Sequence, residues 1–261
     1  MGILLKKIFL KNKVNKVGVI VEARSNSSRL PNKHFLKVLK KPILEHLVNR
    51  LKKISNVNKI IIATTTKKND DKICKIAKKL GIDFFRGSEE NVSQRVLKAA
   101  QKFNLKIICR VTGDCPIIDP FLTEQLIDTF LINYKNINYI SNSQLGLPNG
   151  MGCEVFSTKT LKDSYKNIFK KEEFEHVSLN IRRNKKKFKQ IYLLPSKKLS
   201  WSGLGLTLDE YQDYILIKKI IEYFNKKNKL FTCDDVIKIV KKKNWMKINH
   251  KVERKENNLK I

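Results

Sequence analysis

Val17-Gly-Val-Ile-Val21 is followed, one residue later, by Ala23-Arg-Ser-Asn-Ser-Ser-Arg-Leu-Pro-Asn-Lys33. The first stretch has the length of a strand and no polar face. It predicts a strand buried on both sides, as in a parallel sheet covered by helices. The second is a polar loop with three cations. Its small hydroxyl and amide side chains let the backbone curl until its N–H groups face an anion, while Arg24, Arg29 and Lys33 offset phosphate charge. It lacks the glycines of a Walker loop or a dinucleotide fingerprint, so it predicts a phosphate loop of another kind. The plain alternative is a solvated basic loop.

Outward from that stretch, strands and helices alternate. Helical spacing from Pro42 runs through Ile43, Leu44, Leu47, Val48 and Leu51. Lys59-Ile-Ile-Ile-Ala63 reads as a strand, and the helix after it carries Ile73, Ile76, Ala77 and Leu80, with Gly81 as its stop. A short strand at Phe84 and Phe85 precedes a helix through Val92, Val96, Leu97 and Ala100. Ile107-Ile-Cys-Arg-Val111 is another buried strand, followed by a helix over 120–133 and a strand at Tyr139 and Ile140. This rhythm predicts an α/β fold with a mostly parallel sheet and helices on both faces. Ligands bind such sheets beyond the carboxyl ends of the strands, so the loops after Val21, Ala63, Phe85 and Val111 are expected to line one crevice. Further on, the expectations are a strand over 154–156, helices around Leu161 and over 174–181, and a strand over 191–194. Gly203-Leu-Gly-Leu-Thr-Leu208 runs into a helix expected to start at Asp209, with Leu206-Thr-Leu208 read as a strand, Thr232 as a helix start, and the chain after Trp245 as a fraying polar tail.

Thr112-Gly-Asp114-Cys-Pro116 puts a carboxylate just past a buried strand, where Gly allows close approach and Pro stiffens the exit. Magnesium is commonly held by one or two carboxylates plus phosphates, because it keeps most of its waters. Asp114 is the first candidate ligand and Asp209 the second, with a helix cap as the alternative for Asp209. Asp119 beside Pro120 reads as a helix-start residue. His34 borders the phosphate loop, and His176 falls in an apolar helical pattern that suits a structural histidine. The 4 histidines and 5 cysteines have no zinc spacing, and the scattered thiols suit a reducing cytoplasm rather than a disulfide framework.

The formal charge of +31 raises the possibility of a nucleic-acid partner. The excess is almost entirely lysine, spread along the chain beside abundant Asn and Ile, as AT-rich coding produces. The runs Lys185–Lys187 and Lys241–Lys243 lack the interleaved aromatics of a single-strand binder, so no nucleic-acid partner is expected. No apolar run is long enough to span a bilayer, so no membrane association is expected either.

With these loops in hand, the chain resembles the cytidylyltransferases of the spore-coat polysaccharide biosynthesis protein F type, relatives of the CMP-acylneuraminate and CMP-ketodeoxyoctonate synthetases. The resemblance covers roughly residues 17–225 and lies in an ordered set. That set is Ala23-Arg24…Arg29-Leu30-Pro31…Lys33, Ala63-Thr-Thr-Thr66, Phe85-Arg-Gly-Ser-Glu-Glu90 with Arg95, Arg110-Val-Thr-Gly-Asp-Cys-Pro116, Glu154-Val-Phe-Ser157, Glu175-His-Val177 and Thr207-Leu-Asp-Glu210.

The resemblance implies a Rossmann-like, GT-A-like nucleotidyltransferase domain. It implies activation of a sugar or sugar acid by CTP, with release of pyrophosphate, for surface polysaccharide or glycan synthesis. Lys33, Arg24 and Asp114 would be catalytic. Ala23, Arg24, Arg29, Lys33, Ser88 and Arg95 would bind the nucleotide, Glu154 and His176 the sugar, and Asp114 and Asp209 a Mg2+ ion. A homodimer is the assembly to test. The expected organisation is an extension over 1–16, the nucleotidyltransferase domain over 17–227, and a C-terminal helix with a basic tail over 228–261.

Some positions depart from the family pattern. Asn26 and Asn32 stand where glycines are usual, Gly152 where an acidic residue is usual, and Gly205 near a usual basic one. The competing readings are a GT-A glycosyltransferase, disfavoured by the lack of a paired Asp-x-Asp, a basic nucleic-acid binder, and a non-catalytic binding module.

Overall fold

The computed structural model describes residues 16–143 and 145–254. All of the expected N-terminal extension but Lys16 therefore lies outside the described residues. The strands are β1 (Val17–Glu22), the two-residue pair β2 (Lys37–Val38) and β3 (Lys41–Pro42), β4 (Lys59–Thr65), β5 (Asp83–Gly87), β6 (Ile107–Thr112), β7 (Tyr139–Ser141), β8 (Glu154–Ser157) and β9 (Gln190–Tyr192). Seven of them form one sheet in the order β5-β4-β1-β6-β8-β7-β9. Only β8 runs antiparallel to its neighbours in this sheet. The expected α/β class with a mostly parallel sheet is what the chain adopts.

Alternation along the strands explains the unbroken apolar runs. Val17, Val19 and Val21 pack with Leu44, Leu47 and Leu51 of α1 (Ile43–Leu51) and with Ile73 of α2 (Asp71–Lys79). Ile20, between them, points the other way, into a cluster with Val96 and Ala100 of α3 (Val92–Lys102). Successive side chains of a strand face opposite sides, so a strand covered on both faces must be apolar throughout. α4 (Pro120–Ile132) joins the first layer, while α5 (Thr158–Tyr165) and α7 (Leu179–Arg183) join the second. The short α6 (Lys171–Glu175) precedes α7. A third cluster gathers Leu204, Leu206 and Leu208 with α8 (Tyr211–Asn225) and α9 (Cys233–Lys242). The turn at Asn228, with φ 47°, separates these two helices.

The punctuation follows local chemistry. Gly81 ends α2 with φ 63°, Asn91 caps α3 through Gln94 N–H, and Thr232 with Asp235 forms a capping box on α9. Three expectations are corrected. The helix drawn over 174–181 breaks, because Val177 turns into the core and the Ser178 hydroxyl donates to Glu154 in the sheet; His176 is extended at φ −101°, ψ 91°. The 206–208 stretch is not a strand; its segment is held by an isolated bridge between Asn149 and Gly205, by Leu208 N–H donating to the Asp114 carbonyl at 2.8 Å and by its leucines in the third cluster, and α8 begins at Tyr211 rather than Asp209. The segment after Trp245 does not fray as far as Arg254. Residues 245–248 form a 3-10 turn, and the buried Asn249 amide donates to the Gly205 carbonyl and the Asp213 carboxylate.

Asp119 does more than start a helix. Its carboxylate accepts from Phe121 and Leu122 N–H in α4 and, at 2.6 Å, from Cys233 N–H in α9. Asp119→Ala removes one cap, typically about 1 kcal/mol, and orphans a buried donor at about 1–3 kcal/mol more. Urea unfolding should show a loss of about 2–4 kcal/mol. Thr232→Ala, a single cap, should cost about 1 kcal/mol. Equal small losses would show that Asp119 does not join the two helices.

Candidate active site

The strand order reverses beside β1: β4 follows β1 in the chain and lies on one side, while β6 lies on the other. This is where an open α/β sheet presents a crevice. The loops leaving β1 and β6 are tied together there by Gly113 N–H donating to the Glu22 carbonyl at 2.8 Å. A cleft of about 2090 Å³ opens above them, lined by Ala23, Arg24, Arg29, Lys33, Ser88, Arg95, Asp114, Glu154, His176 and Asp209 among others. Every residue expected to carry chemistry thus borders one cleft, which has room for two substrates. One expected wall differs. The loop after β4 lies behind the phosphate loop, where Asp70 accepts from Ser25 N–H at 2.7 Å and from Thr65 N–H at 3.2 Å. Burial alone would raise the Asp70 pKa, but hydrogen bonds from the Ser25 and Thr65 hydroxyls, with those from their N–H groups, lower it below the ordinary carboxylate value.

The phosphate loop curls, but the backbone N–H groups of Ser25, Ser27 and Asn32 are taken up by acceptors within the protein rather than turned to the cleft. Ser27 and Asn32 N–H both donate to the Ser25 carbonyl at 3.1 Å. Asn32 takes φ 58°, a conformation that Asn tolerates better than other non-glycine residues, whereas Asn26 does not enter that region. Each loop cation faces a carboxylate from another segment. Arg24 meets Glu175 at 2.9 Å, Arg29 meets Asp209 at 3.0 Å, and Lys33 meets Asp114 at 3.1 Å and Asp209 at 3.5 Å. Lys33 is buried and also donates to the Leu208 carbonyl at 2.7 Å.

Asp114 and Asp209, 95 positions apart in the sequence, therefore converge on one ammonium. Asp209 is not the helix cap. Glu210 is the N-cap of α8, and Asp213, three residues on, reaches back to accept from Asp209 and Glu210 N–H, while the Asp209 carboxylate is held by the Thr207 hydroxyl at 3.0 Å. Burial would raise the Asp114 pKa, but the Lys33 ammonium and a hydrogen bond from Thr112 bring it down to about 2. His34 is buried, and burial with the Lys33 charge lowers its pKa to about 4, so it is neutral at pH 7.

On the other side of the cleft, Ser88 accepts Asn91 N–H at 3.0 Å, and the Ser88 carbonyl accepts from buried Arg95. Among the described residues, Arg95 Nε meets no hydrogen-bond partner. Glu154 is buried in a network that the sequence did not reveal. It accepts from Arg110 at 2.8 Å, Tyr139 at 2.7 Å and Ser178 at 2.8 Å. Arg110 in turn forks onto both oxygens of Glu22, at 2.5 and 2.9 Å. A charged residue inside the apolar run Ile107–Thr112 was the available signal for Arg110. For Arg254, which stands at 3.9 Å from Asp209 and lines the same cleft, the polar tail held no signal.

The two departing glycines have steric reasons. A Cβ on Gly152 would come within 2.6 Å of the Ser143 Cα, so this backbone leaves no place for an acidic side chain. A Cβ on Gly205 would fall 1.8 Å from the Arg254 guanidinium carbon.

The cytidylyltransferase family model matches residues 18–244. The chain belongs to the cytidylyltransferase family. Its members are nucleotidyltransferases. The chain is 37% identical over 210 residues to an uncharacterized protein of Methanocaldococcus jannaschii, covering 80% of this chain and 85% of that protein. It is 30% identical over 218 residues to the spore coat polysaccharide biosynthesis protein SpsF of Bacillus subtilis, covering 80% and 88%. The solved structure of a cytidylyltransferase from Leptospira borgpetersenii superposes with a TM-score of 0.86 at 34% identity, covering 92% of this chain and all of that one.

The buried network of this cytidylyltransferase has a pH signature. Burial would raise the Glu154 pKa, but Arg110 and Arg182 lower it from 4.5 to about 2. Its contribution to stability is complete above pH 4.5 and is lost as the pH falls towards 2. The difference corresponds to on the order of 3 kcal/mol. Urea unfolding between pH 7 and 2 should show Glu154→Gln with a flatter acid limb than the parent chain. Parallel acid limbs would mean that Glu154 titrates normally.

Proposed function

We propose that the protein transfers the cytidylyl group of CTP to a sugar or sugar acid, releasing pyrophosphate, in the cytoplasmic synthesis of a surface polysaccharide or glycan. The observation that carries this reading is the meeting of Lys33, Asp114 and Asp209 where the strand order reverses. Membership of the family and the likeness to a spore coat polysaccharide protein support the CTP and polysaccharide parts. Among the described residues no helix is long and apolar enough to cross a membrane, and the five buried thiols are unbridged, in keeping with a reducing compartment.

In the proposed reaction an oxygen of the acceptor bonds to the α-phosphorus as the bond to the bridging oxygen of the β-phosphate breaks. Pyrophosphate leaves with that electron pair, and the acceptor proton passes to solvent. Arg24, Arg29 and Lys33 would meet the triphosphate, and catalysis is positioning plus electrostatics. Ala23 lies at the start of the same loop, and Ser88 and Arg95 border the nucleoside side of the cleft. Glu154 is enclosed by its own partners, so its part is to hold Arg110 at the floor of the acceptor half, beside His176.

Asp114 and Asp209 suit Mg2+. Both are hard oxygen donors from separate segments, brought around one positive group, the Lys33 ammonium, so their oxygens lie no further apart than the sum of its two contacts. Among the described residues there is no group of three or more His, Cys, Asp or Glu side chains placed to hold a metal, which fits an ion completed by phosphates and water. When bound, magnesium would offset charge developing on the phosphates.

CTP with magnesium should raise the melting temperature more than ATP, GTP or UTP does, because a ligand that binds only the folded state stabilises it. Equal shifts for all four would reduce the claim to a triphosphate site. Lys33→Ala should lower pyrophosphate release by about a hundredfold or more. Lys186→Ala, an exposed lysine in the distal basic run, should leave it within about twofold. Similar small losses from both would return Lys33 to the ranks of solvated lysines.

A further inference from the structure

Residues 249–254 touch both sides of the phosphate site. The Glu253 carbonyl accepts from Arg29 of the phosphate loop at 3.1 Å. Asn249 donates to the Gly205 carbonyl at 2.9 Å and to Asp213 at 2.7 Å. Arg254 donates to Asp213 at 2.7 Å and to the Thr207 hydroxyl at 3.1 Å. Its guanidinium occupies the space over Gly205 that a side chain there would need. All of this lies past residue 244, where the match to the family ends.

The contacts form two relays onto one residue. Through Asp213, whose other oxygen accepts Asp209 N–H, Arg254 fixes the main chain of Asp209. Through Thr207, whose hydroxyl donates to the Asp209 carboxylate, it fixes the side chain. Asp213 is fully buried, so it needs a cationic partner, and Asn249 with Arg254 occupies its remaining oxygen. A planar guanidinium can serve Asp213 and Thr207 at once; an ammonium is a single point charge with no such fork.

We propose that residues 249–254 are a working wall of the nucleotidyl-transfer site and that Arg254 is a positioning residue that sets Asp209 for the metal-bound phosphates. The inference rests on the proposed reading of the cleft as a site for phosphates and magnesium. It also assigns Gly205 a role, since the absence of a side chain there is what admits Arg254.

The test uses the full chain and two readouts: calorimetric affinity for pyrophosphate in saturating magnesium, and turnover of CTP with pyrophosphate release. Arg254→Ala should weaken magnesium pyrophosphate binding about tenfold or more. Because that variant also strands the buried Asp213 and can fail to fold, Arg254→Lys and Gly205→Ala carry the test beside it. Arg254→Lys keeps the charge and should keep the melting temperature near that of the parent, yet bind several-fold more weakly. Gly205→Ala should mimic the loss by displacing the guanidinium, and combining it with Arg254→Ala should add little, as coupled neighbours do. Parent-like binding by Arg254→Lys and Gly205→Ala would overturn the proposal and leave Arg254 a structural counter-ion. A parent chain that binds magnesium pyrophosphate without turning over CTP would overturn the cytidylyl reading alone. One that binds no magnesium pyrophosphate would overturn both.

Discussion

The Lys33 ammonium stands 2.7 Å from the Leu208 carbonyl, 3.1 Å from Asp114 and 3.5 Å from Asp209, with most of its side chain out of water. A cation so enclosed is tolerable only because several oxygens replace its hydration, and those oxygens come from distant parts of the chain. Lys33 closes the phosphate loop after β1, Asp114 lies in the loop leaving β6, and Leu208 and Asp209 belong to the segment before α8. The charge balance at this point therefore ties together the parallel half of the sheet and the third hydrophobic cluster. It also requires the β1 and β6 loops to lie side by side, which the reversal of strand order beside β1 supplies.

The first half of the fold was legible because parallel strands and amphipathic helices write themselves in short periods. Val17–Val21 and, but for Arg110, Ile107–Val111 are apolar runs because both faces of each strand are covered. Legibility fell where structure depends on partners remote in sequence. His176 lies in a pattern that locally suits a helix, which breaks where Val177 enters the core and Ser178 bonds Glu154. Asp209 could be taken for a cap because its rival, Asp213, is four residues away and equally acidic. The loop after β4 was misplaced for the same kind of reason. Its Asp70 serves Ser25, 45 positions earlier, and so supports the phosphate loop from behind instead of lining the cleft.

The site residues were legible as types and in order, but not as a network. Three cations after a first strand and an aspartate after a later one point to phosphate chemistry. They do not disclose that Arg24 reaches Glu175 or Arg29 reaches Asp209, 151 and 180 positions on. The large positive charge of the chain has little to do with this. In the cleft Arg24, Arg29, Lys33 and Arg110 each face a carboxylate, whereas the lysine excess is spread along the chain. Preorganised charge in a partly buried cleft acts far more strongly than the same charge in water.

Gly152 and Gly205 show how an apparent loss can be a rearrangement. Judged by family pattern, each lacks a charged side chain. Yet at Gly152 the Ser143 backbone approaches too closely for any side chain, so the loop has repacked around the glycine rather than left a gap. At Gly205 the space is filled by a guanidinium from nearly 50 residues further along the chain, and that guanidinium holds both the acid that caps α8 and the hydroxyl that holds Asp209. Electrostatic function depends on where charge stands, not on the position in the sequence that supplies it. A glycine beside a charged cleft is therefore incomplete evidence of decay until the volume over its α-carbon has been accounted for. Here that volume is occupied by positive charge aimed at the same carboxylates.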